Sequence, residues 1–206
     1  MATRWKILIT LSLFIVVADQ ITKFWAVDDL TRAFENANAV TFTEKVDAYF
    51  GLRDLERQRK PPVVILDDYW QHRYVENPGA AWGSFRGIPE DLRVPFFYVI
   101  SIGAVVFIFF YYRKLDERQR LLQVALALVL GGAIGNFLDR LIHGYVVDFI
   151  DWHWRNDPNL HWPTFNVADI GISVGVSLMI LEALFSRKKS GEESAVGERS
   201  PASHGR

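Results

Sequence analysis

Residues 94–112, nineteen in a row, carry no charged side chain, and no other feature restricts the fold of this chain more. As a helix rising ~1.5 Å per residue, such a run crosses most of the ~30 Å hydrocarbon core of a bilayer. Three other stretches are apolar but interrupted. Residues 7–27 carry Asp19, Gln20, Thr22 and Lys23 toward their end, and residues 121–142 carry Asn136, Asp139 and Arg140. Residues 167–185 open with Asp169 and are otherwise interrupted mainly by Glu182. The expectation is an α-helical integral membrane protein with four transmembrane helices at about these positions.

The placement of basic residues supports an even number of spans. Arg4 and Lys6 precede the first; Arg113, Lys114, Arg118 and Arg120 fill the short connection between the second and third; Arg187, Lys188 and Lys189 follow the fourth. By the positive-inside rule both termini and that connection are cytoplasmic. The long loop 28–93 and the segment 143–166, which hold Trp82, Trp152, Trp154 and Trp162, then face outward, where Trp suits a membrane interface. The first span has the basic start of a signal peptide. Its apolar run continues into Asp19–Lys23 without a small-residue cleavage site, so it is expected to be retained.

The formal net charge of -1 offers no basic stripe for nucleic acid, and the absence of cysteine excludes thiol chemistry, disulfides and cysteine-based metal sites. One domain over residues 1–189 is expected. The polar tail 190–206 has no apolar residues with which to bury itself and is expected to be disordered. Within the outer loop, residues 43–59 place Val46, Tyr49, Phe50, Leu52 and Leu55 near one helical face among charges, which predicts an amphipathic surface helix stopped by Pro61 and Pro62. Residues 63–66, 69–75 and 81–85 read as short strands around the turn Asn77-Pro78-Gly79.

Ionisable groups inside membrane spans are costly, so each is a candidate for function. Asp19 and Lys23 are four apart and share a helical face, where an ion pair that positions the helix is the simpler reading. Asn136, Asp139 and Arg140 also share one face, and the Arg140 fork can pair with Asp139 or hold another carboxylate. Gly131 with Gly135, and Gly171 with Gly175, are packing signals for close helix contact. Asp148, flanked by apolar residues beyond the third span, and Asp169, one turn into the fourth, stand apart from these. Both lie at the outer ends of their spans, where they can converge. The simpler alternatives are a first-turn acid capped by Asn166 for Asp169, and a solvated loop carboxylate for Asp148.

Two carboxylates in contact share one proton, because both cannot ionise comfortably. The ionised one can activate water against a peptide carbonyl while the protonated one stabilises the oxyanion and protonates the leaving amine. That chemistry needs neither metal nor cofactor. Spacing alone leaves open a proton-coupled transporter relaying through Asp139, Asp148 and Asp169, and a non-catalytic membrane assembly factor. Other catalytic patterns fail. Gly171-Ile172-Ser173-Val174-Gly175 matches G-x-S-x-G but lies within a span that has no histidine. His153 and His161 sit among Trp152, Trp154 and Trp162 without a third ligand in any zinc motif, so exposed histidines in an aromatic belt are expected.

Five blocks together resemble the lipoprotein signal peptidase family (signal peptidase II): Asp19-Gln20-Ile21-Thr22-Lys23, Asn77-Pro78-Gly79-Ala80-Ala81-Trp82, Gly135-Asn136-Phe137-Leu138-Asp139-Arg140, Val147-Asp148-Phe149 and Phe165-Asn166-Val167-Ala168-Asp169. The resemblance implies four membrane helices with a small extracytoplasmic β-cradle on the surface of the bacterial inner membrane. It implies an aspartic endopeptidase, monomeric and without a cofactor, whose partners are membrane lipid and lipid-modified prolipoproteins. The bond cut is on the amino side of the diacylglyceryl-modified cysteine. The family's catalytic aspartates fall on Asp148 and Asp169, and its supporting residues on Asp19, Lys23, Asn77, Gly79, Asn136, Asp139, Arg140 and Asn166. The stretch 43–71 is longer than the family's usual connection.

Overall fold

The structure, a computed structural model, describes residues 3–53, 55–79, 89–155, 157 and 160–198. In chain order it contains α1 (Thr3–Leu30), α2 (Ala33–Asn36), α3 (Phe42–Tyr49), a 3-10 turn (Leu55–Gln58), β1 (Val63–Leu66), β2 (Trp70–Asn77), α4 (Glu90–Tyr112), α5 (Arg120–His143), β3 (Val146–Trp152) and α6 (Val167–Glu198). Thr3–Leu30, Asp91–Tyr112, Arg120–His143 and Val167–Phe185 are long and apolar enough to cross a membrane. Their outward faces are apolar as well: Leu13, Phe14 and Phe107 are 59%, 65% and 62% exposed. Only a lipid environment accommodates such a surface around the whole bundle.

Helix α5 is the hub. Half of its span is buried, against 12% for α4, and it packs against α1, α4 and α6. Small residues let it come that close. A Cβ on Gly131 would stand 2.7 Å from the Ile15 Cβ and 2.9 Å from the Ser12 carbonyl oxygen. One on Gly175 would stand 2.6 Å from the Ala125 carbonyl oxygen. The Ser12 hydroxyl donates to the Ala127 carbonyl at 3.0 Å, a second backbone-level tie between α1 and α5.

The two ends of the bundle differ in kind. At one end the start of α1 meets the α4–α5 connection. The Tyr112 hydroxyl donates to the Arg4 carbonyl at 2.6 Å, and the Arg4 guanidinium donates to the Leu115 carbonyl and pairs with Glu117. At the other end lies an antiparallel sheet of order β1-β2-β3. Gln71 pairs with Asp151 and Val75 with Asp148, with an irregularity in β2 between them. Val27, Leu30, Phe34, Tyr49, Leu55, Tyr74, Val147 and Phe149 form the apolar core that seats this sheet on the end of α1.

Several expectations need correction. The helix expected over 43–59 stops at Tyr49 and resumes only as the 3-10 turn at Leu55. Its start is a capping box, with Thr41 and Glu44 each satisfying the other's backbone N–H. Gly51 weakens its continuation. The Glu76 carboxylate, twenty residues on, then accepts from the backbone N–H groups of Leu55 and Glu56 at 2.6 and 3.1 Å and starts a new turn. Tyr49 and Leu55 are buried, whereas Phe50, expected beside them, is 57% exposed. The first two strands form at 63–66 and 70–77, while the third, at 81–85 and including Trp82, lies outside the described residues. Strand β3 was not expected at all. Helix α6 is bounded at Glu198. Residues 199–206 lie outside the described residues.

Gly131→Ala is expected to lower stability by about 1–3 kcal/mol through overpacking against α1. Gly103→Ala, where nothing lies within 4 Å of the added carbon, should not lower it. Thermal unfolding of the two purified variants in detergent checks the contrast.

Candidate active site

The C-terminal parts of α1 and α5, the N-terminus of α6 and strand β3 converge at the sheet end of the bundle, and their polar residues form one connected network. Lys23 on α1 is its centre. With no exposed surface, its ammonium lies 2.8 Å from Asp19 Oδ2, 2.8 Å from Asp139 Oδ2 and 3.1 Å from Asn136 Oδ1. Three donors meet three acceptors, so the buried charge is fully satisfied. Each carboxylate then reaches on to a backbone. Asp19 Oδ1 accepts from the Ala168 N–H at 2.9 Å, holding the first turn of α6 to α1. Asp139 Oδ2 accepts from the Val147 N–H at 2.9 Å, holding β3 to α5. The bland reading of Asp19 and Lys23 as an ion pair is right but incomplete, since Asp139 completes it.

Asp148 and Asp169 are brought to this network by different local structures. Asp169 is the third residue of α6, and Asn166 is its N-cap. The Asn166 Oδ1 accepts from the Asp169 N–H at 3.0 Å, and Asp169 Oδ2 accepts from the Asn166 N–H at 3.2 Å. This is a reciprocal cap, favoured also by the positive end of the helix dipole. Asp148 sits not in a loop but on β3, 1% exposed, opposite Val75. Its Oδ2 accepts from Asn77 Nδ2 at 2.9 Å, and its Oδ1 from Asn166 Nδ2 at 2.6 Å. Asn77 is itself held by the Gly79 N–H, which donates to its Oδ1 at 3.1 Å.

Two donor-only groups set the orientation of the Asn136 and Asn166 amides. Lys23 can only donate, so Asn136 must turn its oxygen to it and its Nδ2 to Asp169 Oδ1, 2.8 Å away. The Asp169 backbone N–H can only donate, so Asn166 turns its oxygen there and its Nδ2 to Asp148 and Asn136. Asn166 therefore touches both aspartates at once. Burial, and then the neighbouring Asp169 carboxylate, push the Asp148 carboxyl well above the ordinary value of 3.8. Charge balance points the same way: among the described residues, Asp19, Asp139, Asp148 and Asp169 face Lys23 and Arg140, so a retained proton lowers the repulsion.

Compared with known proteins, residues 11–185 match the family described as signal peptidase (SPase) II. The chain belongs to that family. Among signal peptidase II relatives, the lipoprotein signal peptidase of Anaeromyxobacter sp. (strain Fw109-5) is 51% identical over 179 residues, covering 87% of this chain and 85% of the relative. That of Pasteurella multocida (strain Pm70) is 38% identical over 151 residues, covering 73% and 87%. A solved bacterial membrane enzyme superposes with a TM-score of 0.63 at 26% identity, over 88% of this chain and 90% of that one. Another gives 0.58 at 28% identity, over 86% and 92%.

All ten residues singled out from the sequence lie at this end of the bundle, but they do not all do what their spacing suggested. Arg140 does not take Asp139, which Lys23 occupies. Its guanidinium donates to the Asn136 carbonyl at 3.2 Å and lies 4.7 Å from the Phe97 ring centroid. Sequence reasoning missed Gln20, whose Nε2 donates to Asp139 Oδ1 at 2.9 Å and approaches Asp19 Oδ2 at 3.2 Å. Its place between Asp19 and Lys23 in a matched block was the available signal. Ser173 of the G-x-S-x-G pattern lies on an exposed face of α6, its carbonyl taken by Ser177. His153, expected to be exposed, is 7% exposed.

Lys23→Met leaves Asp19 and Asp139 buried without their cation. The expected loss of stability is about 3–5 kcal/mol, read by thermal unfolding. Neutralising both carboxylates as well (Asp19→Asn, Asp139→Asn) should recover part of that loss.

Proposed function

We propose that this chain removes the signal peptides of diacylglyceryl-modified prolipoproteins, cutting on the amino side of the lipidated cysteine, with Asp148 and Asp169 as the catalytic pair. One observation carries the assignment of the pair. Asn166 donates to both carboxyls, from its Nδ2 to Asp148 and from its backbone N–H to Asp169, while Asn136 donates to Asp169, so the two carboxyls are held beside each other by neutral donors. The Lys23 ammonium is committed to Asp19 and Asp139. A pair arranged this way keeps one proton between its members.

The ionised member takes a proton from water as that water attacks the scissile carbonyl. The protonated member donates to the developing oxyanion and then to the leaving amine. Asn77 and Asn166 hold Asp148 in place through this exchange, and Asn136 holds Asp169. Asp19, Lys23 and Asp139 act at a distance by fixing α6 and β3. Gly79 fixes Asn77 through its N–H. The Arg140 guanidinium, near both members of the pair, moderates the negative charge that develops.

The substrate class follows from membership of the family, whose relatives carry the name lipoprotein signal peptidase. Both termini and the α4–α5 connection lie in the cytoplasm, as their arginines and lysines favour. The sheet and the pair then lie near the outer leaflet, where the lipid-modified cysteine of the substrate sits. The pair is assembled from one chain, so a monomer holds a complete site.

The test uses the purified enzyme with a diacylglyceryl-modified prolipoprotein, following signal-peptide release by gel shift. Wild type is expected to cleave, and Asp148→Asn and Asp169→Asn each to lose at least ~10³-fold in rate; cleavage surviving in both variants would move the chemistry elsewhere. The pH profile adds an independent check. A raised Asp148 carboxyl holds the shared proton well above pH 3.8, so kcat/KM should persist above that value and fall as pH rises through the pair's upper apparent pKa.

A further inference from the structure

Beyond Asp148, β3 continues to Asp151, and the chain runs on through His153 before turning back. His161 on the returning segment lies directly opposite His153 as an antiparallel bridge pair. The Trp162 N–H donates to the Trp152 carbonyl at 2.8 Å and the Trp154 N–H to the Leu160 carbonyl at 3.1 Å, which fixes that register. Asp151 and His153 are two residues apart on extended chain and so point to the same face, and His161 shares that face from across the pair. The imidazole rings stack with centroids 5.0 Å apart. One ligand atom from each of Asp151, His153 and His161 lies within 4.8 Å of the others.

From this geometry we propose that Asp151, His153 and His161 form a binding site for one divalent transition-metal ion of the zinc class. Two imidazoles and a carboxylate are a ligand set that such ions accept, with water in the fourth position. The carboxylate is already held for the task. Asp151 is fully buried, and its Oδ2 accepts from Gln71 Nε2 at 2.6 Å and pairs with Arg73 Nε at 3.1 Å. Its Oδ1 turns to His161 Nδ1, 3.3 Å away. Gln71 and Arg73 thus hold Oδ2 and leave Oδ1 facing His161, the usual way in which partners orient a ligating carboxylate.

The second observation is His153. Its side chain is 3% exposed, and its Nδ1, 4.0 Å from Asp151 Oδ2, has no hydrogen-bond partner. A buried ring nitrogen without a partner is expensive, and a metal ion aligned on it removes the cost. Tetrahedral ligation at about 2.0–2.1 Å brings ligand atoms to roughly 3.4 Å from one another. The closure needed from 4.8 Å is small, and the His161 side chain, 29% exposed, is the part able to move. A cavity of about 160 Å³ lined by His153, Gln71, Asp67 and Asp68 opens beside the site and supplies a route for the ion.

This site is separate from the aspartate pair. Asp148 and Asp151 are three apart on one strand and so point to opposite faces. The ion would pin the strand that carries Asp148 to the returning segment that leads, through Phe165 and Asn166, into α6. Its role is structural, so zinc should raise thermal stability while leaving the chemical step alone.

The test is zinc titration of the full-length, chelator-stripped protein in detergent against a chromophoric chelator, with metal content after desalting measured by mass spectrometry. One ion per chain is expected for wild type, with at least tenfold weaker binding in His161→Gln and in His153→Gln. Zinc should raise the thermal midpoint of wild type but not of these variants. Continued signal-peptide cleavage by His161→Gln would show that its loss of zinc is not a loss of fold. Wild type that retains no zinc, or binding unchanged in both variants, overturns the proposal. Cobalt gives a reading independent of any variant: intense four-coordinate visible absorption supports the site, and only the weak six-coordinate spectrum overturns it.

Discussion

A single ammonium group, buried to zero exposure at the sheet end of a membrane bundle, is what the rest of this structure is arranged around. Lys23 is tolerable there only because Asp19, Asp139 and Asn136 meet its donors. Those same partners tie four elements together. Asp19 carries the contact from α1 to the first turn of α6, and Asp139 carries it from α5 to the start of β3. Even the helix packing serves this point: a Cβ on Gly135 would stand 2.6 Å from Asp19 Oδ2, so only glycine leaves room for the carboxylate.

From that fixed cation, orientation passes outward one hydrogen bond at a time. Lys23 sets the Asn136 amide, Asn136 sets Asp169, and the Asp169 N–H sets Asn166, which reaches Asp148. The Lys23 cluster is therefore a scaffold whose ammonium bonds only to Asp19, Asp139 and Asn136, and the direct side-chain hydrogen bonds to the aspartates beyond it come from neutral asparagines. A free ammonium beside Asp148 would ionise it and remove the shared proton. Separation of the two layers lets burial and the Asp169 carboxylate outweigh the pull of Lys23, so the Asp148 carboxyl is pushed up.

Much of this was legible in the sequence because it depends on local spacing. The four-residue step from Asp19 to Lys23, the shared face of Asn136, Asp139 and Arg140, and the cap by Asn166 all follow from helix geometry. So did the spans, from one uncharged run and cations on one side only. What failed to show was whatever depends on distant partners. Val146–Trp152 is a strand because β2, some seventy residues earlier, offers an edge to it, so Asp148 read as a loop residue. The second half of the helix expected over 43–59 became a separate 3-10 turn, started at Leu55 by a carboxylate from Glu76. The third polar partner of His153 and His161 was invisible for the same reason, although Asp151 lies only two residues from His153: it takes the strand to put all three on one face.

The cap at the start of α6 couples two properties that most enzymes keep apart. Asp169 is both a member of the proposed pair and half of the reciprocal bond that begins the last membrane helix. A chain in which this carboxylate has strayed is also a chain whose final span has lost its start. The geometry of the pair and the start of the last helix therefore stand or fall on the same two hydrogen bonds.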